Sequence, residues 1–410
     1  RPRISVLPTT APASVALMGP LASLLCAAAL AALLRHLWLQ WRYRQFAGPL
    51  ALPLVGTLLD PGLGKFLKYL RDLRRRFGGV CVIWTGTSPL VVVTEPRVAR
   101  QILANPHTFQ KGSDYTQVFG LVFGRGLVTA TGRRHRVDKA VLAKFFHAAN
   151  LARFLDFFSE AATARIKQQL EPMAGRDVEI SSFFHFLTLQ NFGFIAITKD
   201  YAKDVEEAAF LTAAMAQMNF VMACAILFGV PLWNCIPGVK QMKHHSWRFR
   251  VLMQEKVSAR RCMLREQPAE MPDDMLTAMI ASDFDDELII DHLVTLLCAG
   301  QDTTAYMLSY TALLLAQNMD AQIKLKQELK HVLGESNGFS RDTLGRLEYM
   351  TMCLQEALRL YAVIPSLTRV ASHDTRFDAT GHFVPKGSRM LLSISAMHRD
   401  PDLWKEPTKF

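Results

Sequence analysis

Along most of this 410-residue chain, apolar positions recur at three- and four-residue intervals, the spacing of one face of a helix. Such periods over 135–148, 150–170, 202–228, 238–266 and 272–282 each predict a helix with one buried side. The stretch from Asp286 to about Asn318 differs: its centre is apolar nearly all round. A helix of that length is ~50 Å long at 1.5 Å per residue, and one without a polar face belongs inside the core. A further helical run, Leu347 to Val363, stops before Pro365, which disfavours helix in the residue preceding it. Alternating β-branched residues are confined to a small region. Val80–Trp84 and Leu90–Thr94, separated by Thr85-Gly86-Thr87-Ser88-Pro89, predict a hairpin, Pro96 opens a helix through Leu103, and a strand is predicted after Pro365 around Arg369. The fold class expected is therefore mainly α with a small β-rich part. Breaks between elements are short, with no second-domain linker, internal repeat or low-complexity tract.

The N-terminus carries a different pattern. Ala11 to Leu34 holds no charge and is long enough to cross a bilayer as a helix. It is followed by Arg35, His36, Arg42 and Arg44 rather than a signal-peptide cleavage site, so a single span with a cytosolic body is expected. Pro49 and Pro53, within Ala47 to Gly56, stiffen the next segment into a hinge. The chain divides on this reading into an anchor with its basic flank (1–46), a proline-rich hinge (47–56) and a globular domain (57–410).

Composition narrows the partners. Half the residues are hydrophobic and a fifth charged, which suits a large core and excludes global disorder. The net charge of +11 admits nucleic acid, an anionic membrane or an acidic protein as partner. Its cations fall at Arg71–Arg76, Arg133–Lys144 and Lys240–Arg265 without a zinc-finger, RNP-like or helix-turn-helix pattern, so no nucleic acid is expected. Seven scattered cysteines with no C-x-x-C pair point to a reducing, cytosol-facing location.

Two constellations carry chemistry. Ala299-Gly300-Gln301-Asp302-Thr303-Thr304 places a glycine, two β-branched threonines and a charge inside the apolar helix, all unfavourable there. Gly300 would let a ligand approach the backbone, and a threonine hydroxyl beside a carboxylate passes protons; a local kink with a solvated Asp302 explains the same residues. In the run from Leu347, Glu356 and Arg359 share one helix side at i and i+3. They form either an exposed ion pair of less than about 1 kcal/mol or, given Leu354, Leu358, Leu360 and Tyr361 around them, a pair set against the core.

Taken in order, Ala299–Thr304, Glu356-x-x-Arg359 and the tail His398–Phe410 resemble three successive motifs of the cytochrome P450 family, and the anchor and proline hinge resemble its microsomal members. The resemblance covers essentially the whole chain. It implies haem b (iron protoporphyrin IX) as cofactor, with Thr303 delivering protons for oxygen activation, Asp302 assisting, and Ala299 and Gly300 leaving space over the haem. His135 and Lys139 stand where the family places a tryptophan and an arginine on the haem propionates; Arg369 stands at another propionate-binding position. Glu356 and Arg359 would be architectural. Phe109 to Val128 resembles the cover of the substrate pocket, with Phe220 to Phe228 on its other side. The cysteine thiolate that ligates iron is expected beyond Phe410, since none of the seven cysteines lies in the required Gly- and Arg-containing loop; the metal ligands in this sequence are therefore none, and an inactive fragment is expected. The complete protein would insert one oxygen atom from O2 into a sterol, fatty acid or other hydrophobic small molecule, with electrons from NADPH–cytochrome P450 reductase, on the endoplasmic reticulum membrane. The alternative is a non-catalytic membrane-bound binding protein or truncated isoform on the same scaffold.

Overall fold

The long apolar run becomes a helix because its first turn is prepared for it. Asp285 caps it by accepting the Leu288 amide at 2.7 Å, while Asp286 and Glu287 complement the positive end of the helix dipole. In the computed structural model it spans Asp286–Gln317. The structure describes residues 13–53, 55–113, 115–199, 213–215, 218, 221, 238–282, 284–334 and 339–410 and, within Ala13–Ala29, the backbone alone except at Ser23 and Ala27.

In chain order the principal helices are α1 (Ala13–Arg42), α2 (Phe66–Phe77), α3 (Pro96–Ala104), α4 (Gly132–Ala143), α5 (Leu155–Arg165), α6 (Ile180–Ile197), α7 (Val239–Glu266), α8 (Met275–Ala281), α9 (Asp286–Gln317), α10 (Met319–Leu333) and α11 (Glu348–Leu360). The strands are β1 (Val80–Thr85), β2 (Ser88–Val93), β3 (Phe109–Gln110), β4 (Ser366–Ala371), β5 (Thr375–Arg376), β6 (Phe383–Val384) and β7 (Arg389–Ser393). The chain is thus mainly helical with a small sheet, as expected. The hairpin β1–β2 extends through a parallel β2–β7 pair into a sheet of order β1-β2-β7-β4-β3. Val80–Trp84 of β1 and Leu90–Val93 of β2 read as unbroken apolar runs because both faces are covered there. Val80, Val82 and Trp84 enter one core cluster, while Cys81 and Ile83 meet Tyr69, Leu70 and Leu73 of α2 on the other.

The predicted helix over 202–228 and the pocket wall Phe220 to Phe228 fall largely outside the described residues. The expected span Ala11 to Leu34 is described mainly as backbone, within α1. Among the described residues one helix is long and apolar enough to cross a membrane, α6, and half of it is buried inside the fold.

α9 crosses the body as expected, and every residue from Ile289 to Cys298 is buried. Its main partner is α6. The two backbones close up at Gly300, where a Cβ would collide with the Phe192 ring. Nearby, the Thr188 hydroxyl lies 3.0 Å from the Gln301 carbonyl and fixes the register of the pair. Gly300 is therefore required by helix packing. The side of Gly300 where a Cβ would project is thus occupied by Phe192.

Buried ions join the remaining helices. Arg260 of α7 bonds both Asp274 carboxylate oxygens at 2.8 Å; Asp274 also caps α8 and accepts the Thr198 hydroxyl at the end of α6. Asp291 of α9 accepts Arg250 of α7 at 2.6 Å and the Arg125 amide at 2.8 Å. Gly124, with φ +51°, lets the loop lie against that carboxylate, where a Cβ would clash.

Arg359 is the most fully engaged of these ions. Its guanidinium is 6% exposed and uses all five N–H donors. Two go to Glu356 at 2.8 and 2.5 Å, and three to the carbonyls of His398, Pro407 and Lys409 at 2.8, 2.8 and 3.0 Å. The pair is set against the core and holds the tail.

Arg359→Ala is expected to lower unfolding free energy in urea by about 3–5 kcal/mol. Arg359→Lys should recover little of it, because an ammonium cannot span the fork; a loss below about 1 kcal/mol in either variant would mark an ordinary surface pair. Gly300→Ala is expected to cost about 1–3 kcal/mol through overpacking, although alanine is favoured in a helix by about 1 kcal/mol. Phe192→Leu should relieve that cost in the double variant, which a double-mutant cycle reads directly.

Candidate active site

A cavity of about 370 Å³ opens beside α9 immediately after its fully buried stretch. Thr303, Thr304 and Met307 form one wall, Leu358 of α11 and the connection Ala362–Ile364 another, and His398 a third. A larger groove of about 490 Å³ along α5, lined by Ser159, Glu160 and Lys167, is superficial and holds none of the expected residues.

The wall on α9 is set by helix geometry. Ala299, Thr303 and Thr304 share one open side; Ala299 and Thr304 are exposed. The Thr303 hydroxyl donates to the Ala299 carbonyl at 2.7 Å, which leaves its lone pairs free to accept. Asp302 is directed elsewhere. It lies against α6, with Oδ1 3.6 Å from Nε2 of His185, and it is not part of the cavity wall. Burial raises its pKa, and His185 partly offsets that rise. Cys298, one turn earlier, is fully buried; burial first and Asp302 second push its thiol well above the ordinary range, so it stays neutral. His398 is shifted down, mainly by burial, and is an uncharged imidazole at neutral pH.

Three cations and one imidazole gather on the elements around β4. Arg369, on the strand that leaves the cavity wall at Ile364, bonds the Tyr115 hydroxyl at 3.2 Å. Lys111 donates to the Val128 and Ala130 carbonyls at 2.8 and 2.9 Å, and its pKa is pushed down to about 8 by burial and by Arg369. His135, on α4, is lowered by burial, then by Lys111 and Lys139. Lys139 is exposed one turn further on. The neighbouring acid, Asp138, is turned away, 3.4 Å from both Arg134 and the buried His292 of α9, and so pins α4 in place. Among the described residues none of these four side chains forms an ion pair.

The site residues read from the sequence thus separate into three groups. Ala299 and Thr303 face the cavity side, His135, Lys139 and Arg369 stand at or beside the cationic cluster, and Glu356 with Arg359 holds the floor from behind. Asp302 faces α6, and Gly300 faces Phe192. Lys111, His185 and His398 were not identified from the sequence. Lys111 sits in the segment read as a pocket cover, where an apolar pattern drew attention from a lone cation. His185 sits in a phenylalanine-rich segment with no amphipathic period, so α6 itself was not predicted.

Comparison with known proteins identifies the family. The model of the family described as Cytochrome P450 matches residues 46–410. The chain is 26% identical over 363 residues to Protein LUTEIN DEFICIENT 5, chloroplastic, of Arabidopsis thaliana, covering 83% of this chain and 60% of that protein. It is 25% identical over 387 residues to Cytochrome P450 3A6 of Oryctolagus cuniculus, covering 88% and 75%. Against Cyclooctat-9-en-7-ol 5-monooxygenase of Streptomyces melanosporofaciens it is 26% identical over 358 residues, covering 84% and 74%. The chain thus spans between three fifths and three quarters of the length of these relatives. With a family match that begins at Phe46 and runs through the cavity walls, the cationic cluster and the Arg359-bound tail, the chain belongs to the cytochrome P450 family.

Proposed function

We propose that this chain is the body of a haem-dependent monooxygenase that inserts one oxygen atom from O2 into a hydrophobic small molecule, a sterol or fatty acid being the substrate class. The observation that carries this reading is a partly desolvated Lys111 beside Arg369, with no acid paired to either among the described residues, next to an apolar cavity with a hydroxyl-bearing wall. Family membership implies a haem, and the residues present fit haem b. Lys111, His135, Lys139 and Arg369 would hold its two propionates; burial makes the Lys111 charge costly until an acid arrives. Leu358, Val363 and the open side of α9 would take its apolar ring. A bound haem supplies the reductive activation of O2.

The chain itself has to supply protons and exclude water. The Thr303 hydroxyl, already donating to Ala299, accepts a hydrogen bond from a donor in the cavity and so positions the proton to be transferred. Asp302, kept easier to protonate by burial, is the reservoir behind it. Met307, Leu358, Val363 and Ile364 keep the remaining wall apolar. Glu356 and Arg359 are architectural on this reading.

Electrons would come from NADPH–cytochrome P450 reductase. Arg133, Arg136 and Lys139 are exposed on α4 and suit an acidic partner, raising encounter rate more than affinity. Residues 1–46 are assigned to a membrane anchor, 47–56 to a hinge and 57–410 to the catalytic domain, on the endoplasmic reticulum with the body in the cytosol. Exposed Leu30, Leu34, Leu37, Trp38 and Trp41 support this placement, with Arg42 stacked on Trp38 at 5.0 Å and Arg44 on Trp41 at 4.6 Å, a pairing suited to a headgroup layer.

Titration of the full chain with haem should give a Soret band, and Lys111→Met should weaken haem binding about tenfold or more at neutral pH, a charged hydrogen bond contributing roughly 1.5–3 kcal/mol. Without haem, Lys111 has a folded pKa of about 8 against its ordinary 10.5. The unfolded chain then binds more protons between those values, so wild-type stability should rise with pH across that window, and Lys111→Met should flatten the rise. Unchanged haem affinity with an unchanged pH slope would remove Lys111 from the site. In the complete protein, with its thiolate ligand, Thr303→Ala is expected to consume O2 without proportionate product, read as product formed per O2 used; normal coupling would count against its proton role.

A further inference from the structure

The α6–α9 contact brings a second titratable group to Asp302. The Nδ1 of His185 lies 2.8 Å from the Ser181 carbonyl and 3.2 Å from its hydroxyl. A carbonyl only accepts, so Nδ1 carries a hydrogen and the ring is oriented with Nε2 toward Asp302, 3.6 Å from Oδ1. Three further features hold the ring there. Tyr306 packs edge-on at 4.7 Å between ring centroids, the Thr188 hydroxyl clamps α6 to the Gln301 carbonyl, and Gly300 allows the helices to approach. Both side chains are mostly buried but reach solvent at about one seventh of their surface, 14% for His185 and 15% for Asp302.

We propose that His185 is the positioning and proton-supplying partner of Asp302, linking the carboxyl to solvent on the α6 side while Thr303 faces the cavity. The proposal rests on the oxygenase reading above. In the step, the Nε2–H bond of imidazolium His185 breaks and an Asp302 Oδ1–H bond forms. His185 is left neutral with its Nδ1 hydrogen retained, and Nε2 is then reprotonated by hydronium from the solvent, which leaves water. No electrons change hands. The 3.6 Å gap closes by a small side-chain rotation or is bridged by one water.

Other groups near the pair have different parts. Glu179 caps α6 and is lowered by its bonds to Ser182, so it remains an anion on the solvent side of His185. Tyr306 is raised by burial and then by Asp302, and Cys298 is raised likewise, so neither gives up its proton near neutrality. Among the described residues, His185 is thus the side chain facing Asp302 that can both take and give a proton.

The test uses the full chain loaded with haem and carrying ¹³C-labelled aspartate carboxyls, with the Asp302 signal assigned by its loss in Asp302→Asn. Its titration is followed in wild type, His185→Gln and His185→Lys. In His185→Gln the Asp302 midpoint should move to higher pH, and His185→Lys should return it toward wild type. His185→Gln in the complete protein, with its thiolate ligand, should form less product per O2 and show a larger solvent isotope effect on O2 consumption. An Asp302 midpoint unmoved by His185→Gln overturns the pairing. A moved midpoint with unchanged coupling and isotope effect overturns the relay and leaves an electrostatic contact. Absence of a Soret band in wild type would instead overturn the oxygenase reading, and the relay with it, while the carboxyl titration still reports whether the two side chains interact.

Discussion

All five N–H donors of Arg359 are engaged inside the protein, and the position of the cavity floor follows from that. Leu358 precedes it on α11, and His398, whose carbonyl it binds, comes from a segment 39 residues away. Both line the cavity opposite Thr303. A planar fork with fixed donor directions sets the spacing between α11 and the tail more tightly than apolar packing could, because each carbonyl must lie along its own N–H. Arg399 repeats the device by bonding the Leu360 carbonyl, and Asp400 next to it is paired with Arg74 of α2. The tail is therefore tied both to α11 and to the covered sheet.

Across the cavity the constraint is steric. α9 needs a smooth side at Gly300 to meet α6, and it needs an open side at Ala299 and Thr303 only one and three residues away. A helix turns about 100° per residue, so neighbouring positions face different surroundings. This is how Asp302 and Thr303, adjacent in sequence, come to serve different compartments. One reaches α6 and the solvent beyond His185, and the other reaches the cavity. A motif that reads as a single acid-alcohol unit is divided by the helix into an outer and an inner half.

Legibility in the sequence followed how much of each signal was local. The hairpin at Val80–Val93, the helix 238–266 and the central helix were readable because β-branched runs about a Gly-Pro turn, an amphipathic period and an all-apolar run are each written within one segment. The Glu356–Arg359 spacing showed a pair, but its three tail carbonyls are 39, 48 and 50 residues from Arg359 and leave no mark near it. α6 failed the period test because its apolar residues surround it, as burial between α5, α8 and α9 requires. With α6 unread, His185 had no helix to be placed on. Gly300 was read as an opening toward a ligand, when a glycine in a helix equally marks a close neighbour, and only the Phe192 ring distinguishes the two.

The cationic cluster is what the fold would discard if stability alone shaped it. Lys111 is held partly out of water with two carbonyls and a second cation beside it, and its lowered pKa measures a charge that burial disfavours. Solvent exposure or a methionine at that position would suit the isolated chain better. The nearby Asp138 could neutralise the group, yet it is turned to Arg134 and His292 and serves to hold α4 against α9. Cations brought together while an adjacent acid is turned away form an arrangement completed by an anion from outside the chain. On the proposed reading the dianionic edge of a haem would supply that charge, and the same binding that relieves Lys111 would set the ring against the open side of α9. The electrostatic frustration and the cavity then have one explanation.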